Sequence, residues 1–182
     1  MIASALSRAI CNHRSLIVNE ILKDVLEPGL KVVFCGSAVG PKSAAKGAYY
    51  AGPGNRFWST LAECGLTPDR IDPSEFRTLP RYGIGLTDLV KTHAALDADL
   101  TDEWDGAAFR DKIIRFEPKV VAFNGKRAAR EYFGWKVSYG VQAERIGSAS
   151  VFVLPSTSGA ARKFWDIAEW QALAQEVRTG RG

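Results

Sequence analysis

Three short stretches of the chain are apolar without alternation: KVVFC (31–35), KVVAFN (119–124) and VFVLP (151–155). A strand wetted on one face alternates apolar and polar positions, whereas a continuous run suits a strand covered on both faces. GIGLTDLV (83–90) is a fourth such run, preceded by turn residues. Between the runs the apolar period lengthens to that of a helix. SLIVNEILKDVL (15–26) places Leu16, Ile17, Ile21, Leu22, Val25 and Leu26 on one face, and Pro28-Gly29 stops it. NRFWSTLAEC (55–64) reads as a helix capped by Asn55 and ended by Gly65, with Phe57, Trp58 and Leu61 inward. AAFRDKIIRFEP (107–118) ends at Pro118, KRAAREYF follows Gly125, and a long helix is expected from about Ala160 with Phe164, Trp165, Ile167, Ala168 and Leu173. Strands alternating with helices predict an α/β fold, a three-layer α/β/α sandwich with a central, mostly parallel sheet. Ligands of such sheets sit off the carboxyl ends of the strands. Here those ends are Gly36 onward, Thr87-Asp88, Asn124-Gly125 and Ser156–Ala161, four segments converging on one rim.

The 182 residues suit one domain over 1–182, with 1–14 as an extra N-terminal segment whose role is open. At 46% hydrophobic the chain can fill a core. No apolar run approaches the ~18 residues of a membrane span and no signal-peptide pattern opens the chain, so a soluble cytoplasmic protein is expected, nucleoid-associated in a bacterium. A net charge of +4 permits a nucleic-acid partner without requiring one. Cys11, Cys35 and Cys64 form no CxxC pair, and His13 and His93 are the only histidines. No metal and no cofactor is expected from this inventory.

The most unusual stretch is CGSAVGPKSAAKGAYYAGPGNRFW (35–58), a loop of small residues that also holds two adjacent tyrosines. Its glycines at 36, 40 and 47 do not fit GxGxxG, and no Gly-Lys-Ser/Thr makes it a P-loop. The segment LEPGLKVVFCGSAVGPKSAAKGAYYAGPGNRFWSTLAECGLTP resembles the mismatch-specific uracil/thymine-DNA glycosylases of the uracil-DNA glycosylase superfamily. GIGLTDLV, VVAFNGK and VLPSTSGAAR follow in the family's order, so the resemblance covers most of the chain.

The resemblance implies an enzyme that flips a nucleotide out of the duplex to reach its glycosidic bond. The base pocket would be formed by Gly36, Ser37, Ala38, Val39, Gly40, Tyr50 and Asn124. Glycine-rich backbone would offer N–H groups to the base carbonyls, and Tyr50, beside Tyr49, would cover the base's face. Ordinary core packing is the competing reading for both tyrosines. Ala38 stands where most mismatch-specific members carry the Asn that holds the attacking water, and Val39 replaces the usual Pro. A methyl group cannot orient water. Asp88 is the candidate catalytic residue in its stead, as general base or as a carboxylate stabilising the oxocarbenium-like sugar; capping a turn is its alternative. Asn124 either bonds the base edge or satisfies a turn.

Ser156, Thr157, Ser158, Gly159, Ala160, Ala161 and Arg162 would contact DNA, with Ser156, Thr157, Ser158 and the following helix N-terminus on phosphate and Arg162 as the wedge. Lys42, Lys46 and Lys126 could add attraction to the backbone, although each alone reads as a surface lysine. The acidic stretch Asp97, Asp99, Asp102, Glu103 and Asp105 reads as a solvated loop and helix start. The expected protein is a monomeric, monofunctional glycosylase acting on DNA with uracil or with mismatched or damaged bases. A lesion-binding module without catalysis and a nucleoside hydrolase of similar fold are its rivals.

Overall fold

The computed structural model describes residues 20–101 and 104–180. Five strands form one sheet: β1 (Val32–Ala38), β2 (Ile84–Val90), β3 (Val120–Asn124), β4 (Gly140–Ile146) and β5 (Ala149–Leu154). Their spatial order is β2-β1-β3-β5-β4. β2, β1, β3 and β5 run parallel, and β4 pairs antiparallel with β5 at one edge. The four parallel strands are the four apolar runs. β4 escapes the pattern because an edge strand needs few buried positions: GVQAERI buries only Gly140 and Ile146.

Helices α1 (Pro41–Lys46), α2 (Phe57–Glu63), α3 (Gly106–Phe116), α4 (Lys126–Phe133) and α5 (Ala168–Thr179) cover the sheet, with 3-10 turns at Pro73–Tyr82, Asp97–Asp99 and Gly159–Phe164. Each face of the sheet carries its own core. One is built on Phe34, Phe57, Trp58, Leu86, Phe152 and Trp170. The other is built on Val33, Cys35, Phe109, Phe123, Ala128 and Val153. Phe34 meets Phe57 edge-on at 5.2 Å and stacks on Trp170 at 5.4 Å, which locks α2 and α5 to β1.

Two expected helices differ. Of the helix predicted over 15–26, residues 15–19 lie outside the described residues and 20–26 are not helical. Val25 instead exchanges backbone hydrogen bonds with Leu86 at 2.9 and 3.0 Å, adding a single antiparallel bridge to the outer edge of β2. Gly85 permits this approach: a Cβ there would come within 2.7 Å of the Val25 carbonyl oxygen. Leu22 and Val25 are buried as the helical reading required, but they pack from an extended segment. The long helix expected from Ala160 is broken in two. The Gly159–Phe164 turn ends at an extended Trp165, and α5 starts only at Ala168. Trp165 must turn inward toward Trp170, 6.2 Å away, and Asp166 Oδ1 then accepts from Ala168 N at 2.9 Å to open the next helix.

Candidate active site at the strand ends

The carboxyl ends of β1, β2, β3 and β5 converge as the alternation requires, and their loops are knitted together. Thr157 N donates to Asn124 Oδ1 at 3.0 Å, Asn124 Nδ2 donates to Thr157 Oγ1 at 2.9 Å, and Arg56 N donates to Thr157 O at 3.0 Å. Ala95 N donates to Val39 O at 3.1 Å, joining the loop after β2 to the loop after β1.

Gly36 and Asp88 are direct neighbours in the parallel register. The Asp88 side chain leans into the space a larger residue would need at 36: a Cβ on Gly36 would collide with Asp88 Oδ1 and stand 3.3 Å from Tyr50 Oη. Glycine is therefore the residue that lets a carboxyl group and a phenol meet above the strand end. Asp88 is buried and Tyr50 half-buried, but the atoms Asp88 Oδ2 and Tyr50 Oη are both shut away from solvent and have no hydrogen-bond partner among the described residues. Asp88 is only 3% exposed. Unpaired polar atoms in such a place cost about 1–3 kcal/mol each, so a fold keeps them for a purpose or for a ligand.

Burial is the main reason that the Asp88 carboxyl is pushed up to about 7. Lys91 opposes that rise, Asp24 adds to it, Lys112 opposes it and Asp97 adds to it. Burial and the neighbouring Asp88 likewise hold the Tyr50 phenol well above its ordinary range, so it remains a hydroxyl. The Asn124 amide lies close enough to the phenol to favour its ionised form, against the effect of burial. The pair is then a hydroxyl donor beside a carboxyl that titrates near neutrality.

Tyr50 has a left-handed backbone, φ +53°, which costs a non-glycine residue roughly 1–3 kcal/mol. Its ring stacks on Phe57 at 4.1 Å and 26°. Trp58 Nε1 holds the same loop by donating to Tyr49 O at 3.1 Å. Tyr49 is core, packed edge-on against Phe76. Asn55 Oδ1 accepts from Phe57 N at 3.0 Å, the role expected of it.

Of the other pocket residues, Ser37 and Val39 are buried, while Ala38 and Gly40 are half-buried at the strand end. The Ser37 hydroxyl lies in hydrogen-bonding reach of Asp97, whose carboxyl burial pushes up. Asp97 is exposed, as a solvated acidic loop requires, yet it reaches the rim through Ser37. Asp102 and Glu103 lie outside the described residues, and Asp105 caps α3 through Ala108 N at 2.8 Å.

On the DNA side, Ser158 Oγ accepts from Ala160 N at 3.4 Å and heads the short Gly159–Phe164 turn. The long-helix N-terminus expected at the serines is not there, since α5 begins ten residues after Ser158. Ser156 and Gly159 are half-buried, and Gly159 packs against the carbonyl oxygens of Pro53 and Gly54. Ala160 and Ala161 lie in the turn, and the Arg162 guanidinium folds back beside Gly54. Phe164, which the sequence reading assigned to a helix face, is 68% exposed next to Arg162 and Lys163. Lys42 and Lys46 are exposed, whereas Lys126 sits 3.9 Å over the Tyr139 ring. No group of three or more metal-ligating side chains occurs among the described residues.

A mostly parallel sheet covered by helices, with a buried acid and a phenol at its strand ends, defines the class as a three-layer α/β protein. A family model described as the uracil DNA glycosylase superfamily matches residues 23–174, and the chain belongs to that superfamily. A solution NMR structure of a candidate uracil DNA glycosylase from Methanosarcina acetivorans shares the fold, with a TM-score of 0.60 and 24% identity over 86% of this chain and 96% of that one. Superfamily membership supports a glycosylase-like function on DNA. No helix among the described residues is long and apolar enough to cross a membrane.

Proposed function

We propose that this protein is a monofunctional DNA glycosylase that removes uracil, and other damaged bases of similar shape, and leaves an abasic site. The observation that carries this reading is the orphaned pair Asp88 Oδ2 and Tyr50 Oη, buried over Gly36 in a superfamily that acts on flipped bases. A flipped base would supply the missing partners: its carbonyl accepts from the Tyr50 hydroxyl and its plane lies along the tyrosine loop. Asp88, ionised above about pH 7, takes a proton from water as the water oxygen bonds to the sugar C1′. The C1′–N bond breaks, and its electron pair leaves with the base, which is then protonated. The same carboxylate faces the positive charge that grows on the sugar.

The mismatch-specific branch is the resemblance that fits the order of motifs, with Asp88 replacing the first-motif Asn that Ala38 lacks. The partner is DNA carrying uracil or a mismatched or damaged base, met by a monomer through Ser156, Ser158, Gly159, Ala160, Ala161 and Arg162; Thr157, expected beside them, is buried against Asn124 and holds their loop instead of touching phosphate. Ala38 also favours a second reading, a lesion-binding module of the same fold without catalysis, because its methyl group holds no water.

Uracil-containing single- and double-stranded oligonucleotides, incubated with the protein and then treated with alkali, separate the two. Strand breaks at uracil that disappear in Asp88→Asn and Asp88→Ala are expected. Tight binding with no alkali-labile site in the wild type would transfer the assignment to the lesion-binding module. Activity on free deoxyuridine would point instead to a nucleoside hydrolase.

A further inference from the structure

Lys91 follows β2 immediately, and its side chain is 9% exposed. Its ammonium donates to Leu22 O at 2.6 Å and to Tyr49 Oη at 2.8 Å, and it pairs with Asp24 Oδ1 at 2.7 Å. An ammonium has three protons, so all are committed. Asp24 in turn accepts from Thr87 Oγ1 at 2.8 Å and pairs through Oδ2 with Lys112 at 2.6 Å, which reaches Glu20 at 3.6 Å. One buried cation thereby joins three elements: the extended segment before β1, the end of the strand bearing Asp88, and the tyrosine loop. Tyr49 is the residue before the strained Tyr50. A hold on the Tyr49 hydroxyl is thus a hold on the geometry of its neighbour.

We propose that Lys91 is a positioning residue of the base pocket, fixing the Tyr49–Tyr50 loop over Gly36 and setting a positive charge against Asp88. The inference builds on the excision reading, but its central test does not need activity. The groups that bear on Asp88 are Lys91 and Lys112, which favour its ionised form, and Asp24 and Asp97, which oppose it. Tyr49, Tyr50 and Cys35, its other titratable neighbours, are all held in their neutral forms by burial. Among the charges Lys91 has the greatest influence, ahead of Asp24.

Carbon-13 labelling of aspartate carboxyls lets Asp88 be titrated by NMR, with Asp88→Asn assigning its resonance. The wild type should titrate near 7. Lys91→Met should move the midpoint up by about one pH unit, the scale of one nearby charge. Lys91→Arg should restore most of it, since the charge is kept. Release of uracil in single turnovers should show the same displacement of its rising limb, with roughly fivefold slower release at pH 7. A folded Lys91→Met protein whose Asp88 midpoint does not move overturns the proposal. Asp24→Asn is the second variant, should Lys91→Met fail to fold. It removes an opposing charge and should move the midpoint down; an unchanged or raised midpoint also overturns the proposal. If the wild type releases no base from any DNA, the excision reading falls, and the titration still decides for or against Lys91.

Discussion

Two halves of the same rim treat buried polar groups in opposite ways. At the ends of β3 and β5, Asn124 and Thr157 answer each other twice, at 2.9 and 3.0 Å, and the Thr157 carbonyl is also used by Arg56 N. At the ends of β1 and β2, Asp88 and the Tyr50 hydroxyl are as deeply placed and have unanswered atoms. A satisfied pair is scaffold: it fixes the loops and has little left to offer a ligand. An unsatisfied pair is stored recognition, because a ligand that completes it recovers the cost of its burial. On the proposed reading, the contrast puts chemistry in the β1–β2 half and architecture in the β3–β5 half. It also changes the standing of Asn124, whose amide already holds the loop after β5.

The strongest way to break this contrast is Asp88→Asn. On the proposed mechanism it lowers base release by about 10²–10⁴-fold, the usual scale of a general base, measured in single turnovers on uracil oligonucleotides. The same variant should be more stable than the wild type, and the sign can be worked out from its raised value. Below about pH 4 the carboxyl is protonated whether folded or unfolded, so no difference arises. From there to about 7 the unfolded chain ionises while the folded one resists, and the wild type loses stability as pH rises. Above that value the deficit is constant. Urea melts of the two proteins should therefore diverge from pH 4 to 8, by at most about 4 kcal/mol at the upper end. Equal stability at pH 8 would mean that the site is wetter than its burial indicates.

Gly36→Ala tests the meeting point. The new methyl would strike Asp88 Oδ1 and crowd Tyr50 Oη, displacing the pair by a fraction of an ångström or more. Base release should fall about 10²-fold with binding of undamaged DNA unchanged, since the injury is confined to the pocket. On the other half, Thr157→Val leaves the Asn124 amide without its acceptor. The expected cost is about 1–3 kcal/mol of stability by urea melts, with base release by the folded fraction within about threefold of the wild type. A large catalytic loss with intact stability would return Asn124 to the pocket.

How far the sequence exposed this arrangement depended on how local each cause is. The four parallel strands were legible because burial on both faces leaves an unmistakable apolar run, and the rim followed from alternation alone. Glycine 36 was legible as permissive, but the partner that needs the space, Asp88, lies 52 positions along the chain and enters through strand register. Residues 20–26 misled because their apolar positions suit either a helix or an extended segment; the bridge to Leu86 is decided by Gly85, not by anything local. The charge run correctly marked Asp97 as solvated, but its contact with Ser37 depends on the Ala95–Val39 bond between two distant loops, which no local pattern shows. The break at Trp165 arises from a contact with Trp170 that helical periodicity cannot show.

That break also supplies the mildest test. If the β3–β5 half is architecture, its contribution to the reaction should be mechanical, and Phe164 is the side chain free to make it. Arg162, the wedge suggested by its length and planarity, lies back against Gly54, whereas Phe164 projects from the end of the same turn. Apolar side chains inserted between base steps hold a duplex open after a nucleotide has left the stack. That help is needed only where a stack exists. Phe164→Ala should slow uracil release from duplex about three- to tenfold and leave single-stranded substrate unchanged, because unstacking costs only a few kcal/mol and one inserted ring offsets part of it. Arg162→Ala in the same assay should weaken both substrates alike through lost phosphate attraction. If instead Arg162→Ala alone impairs the duplex selectively, the guanidinium swings out on binding, and Phe164 is a surface residue.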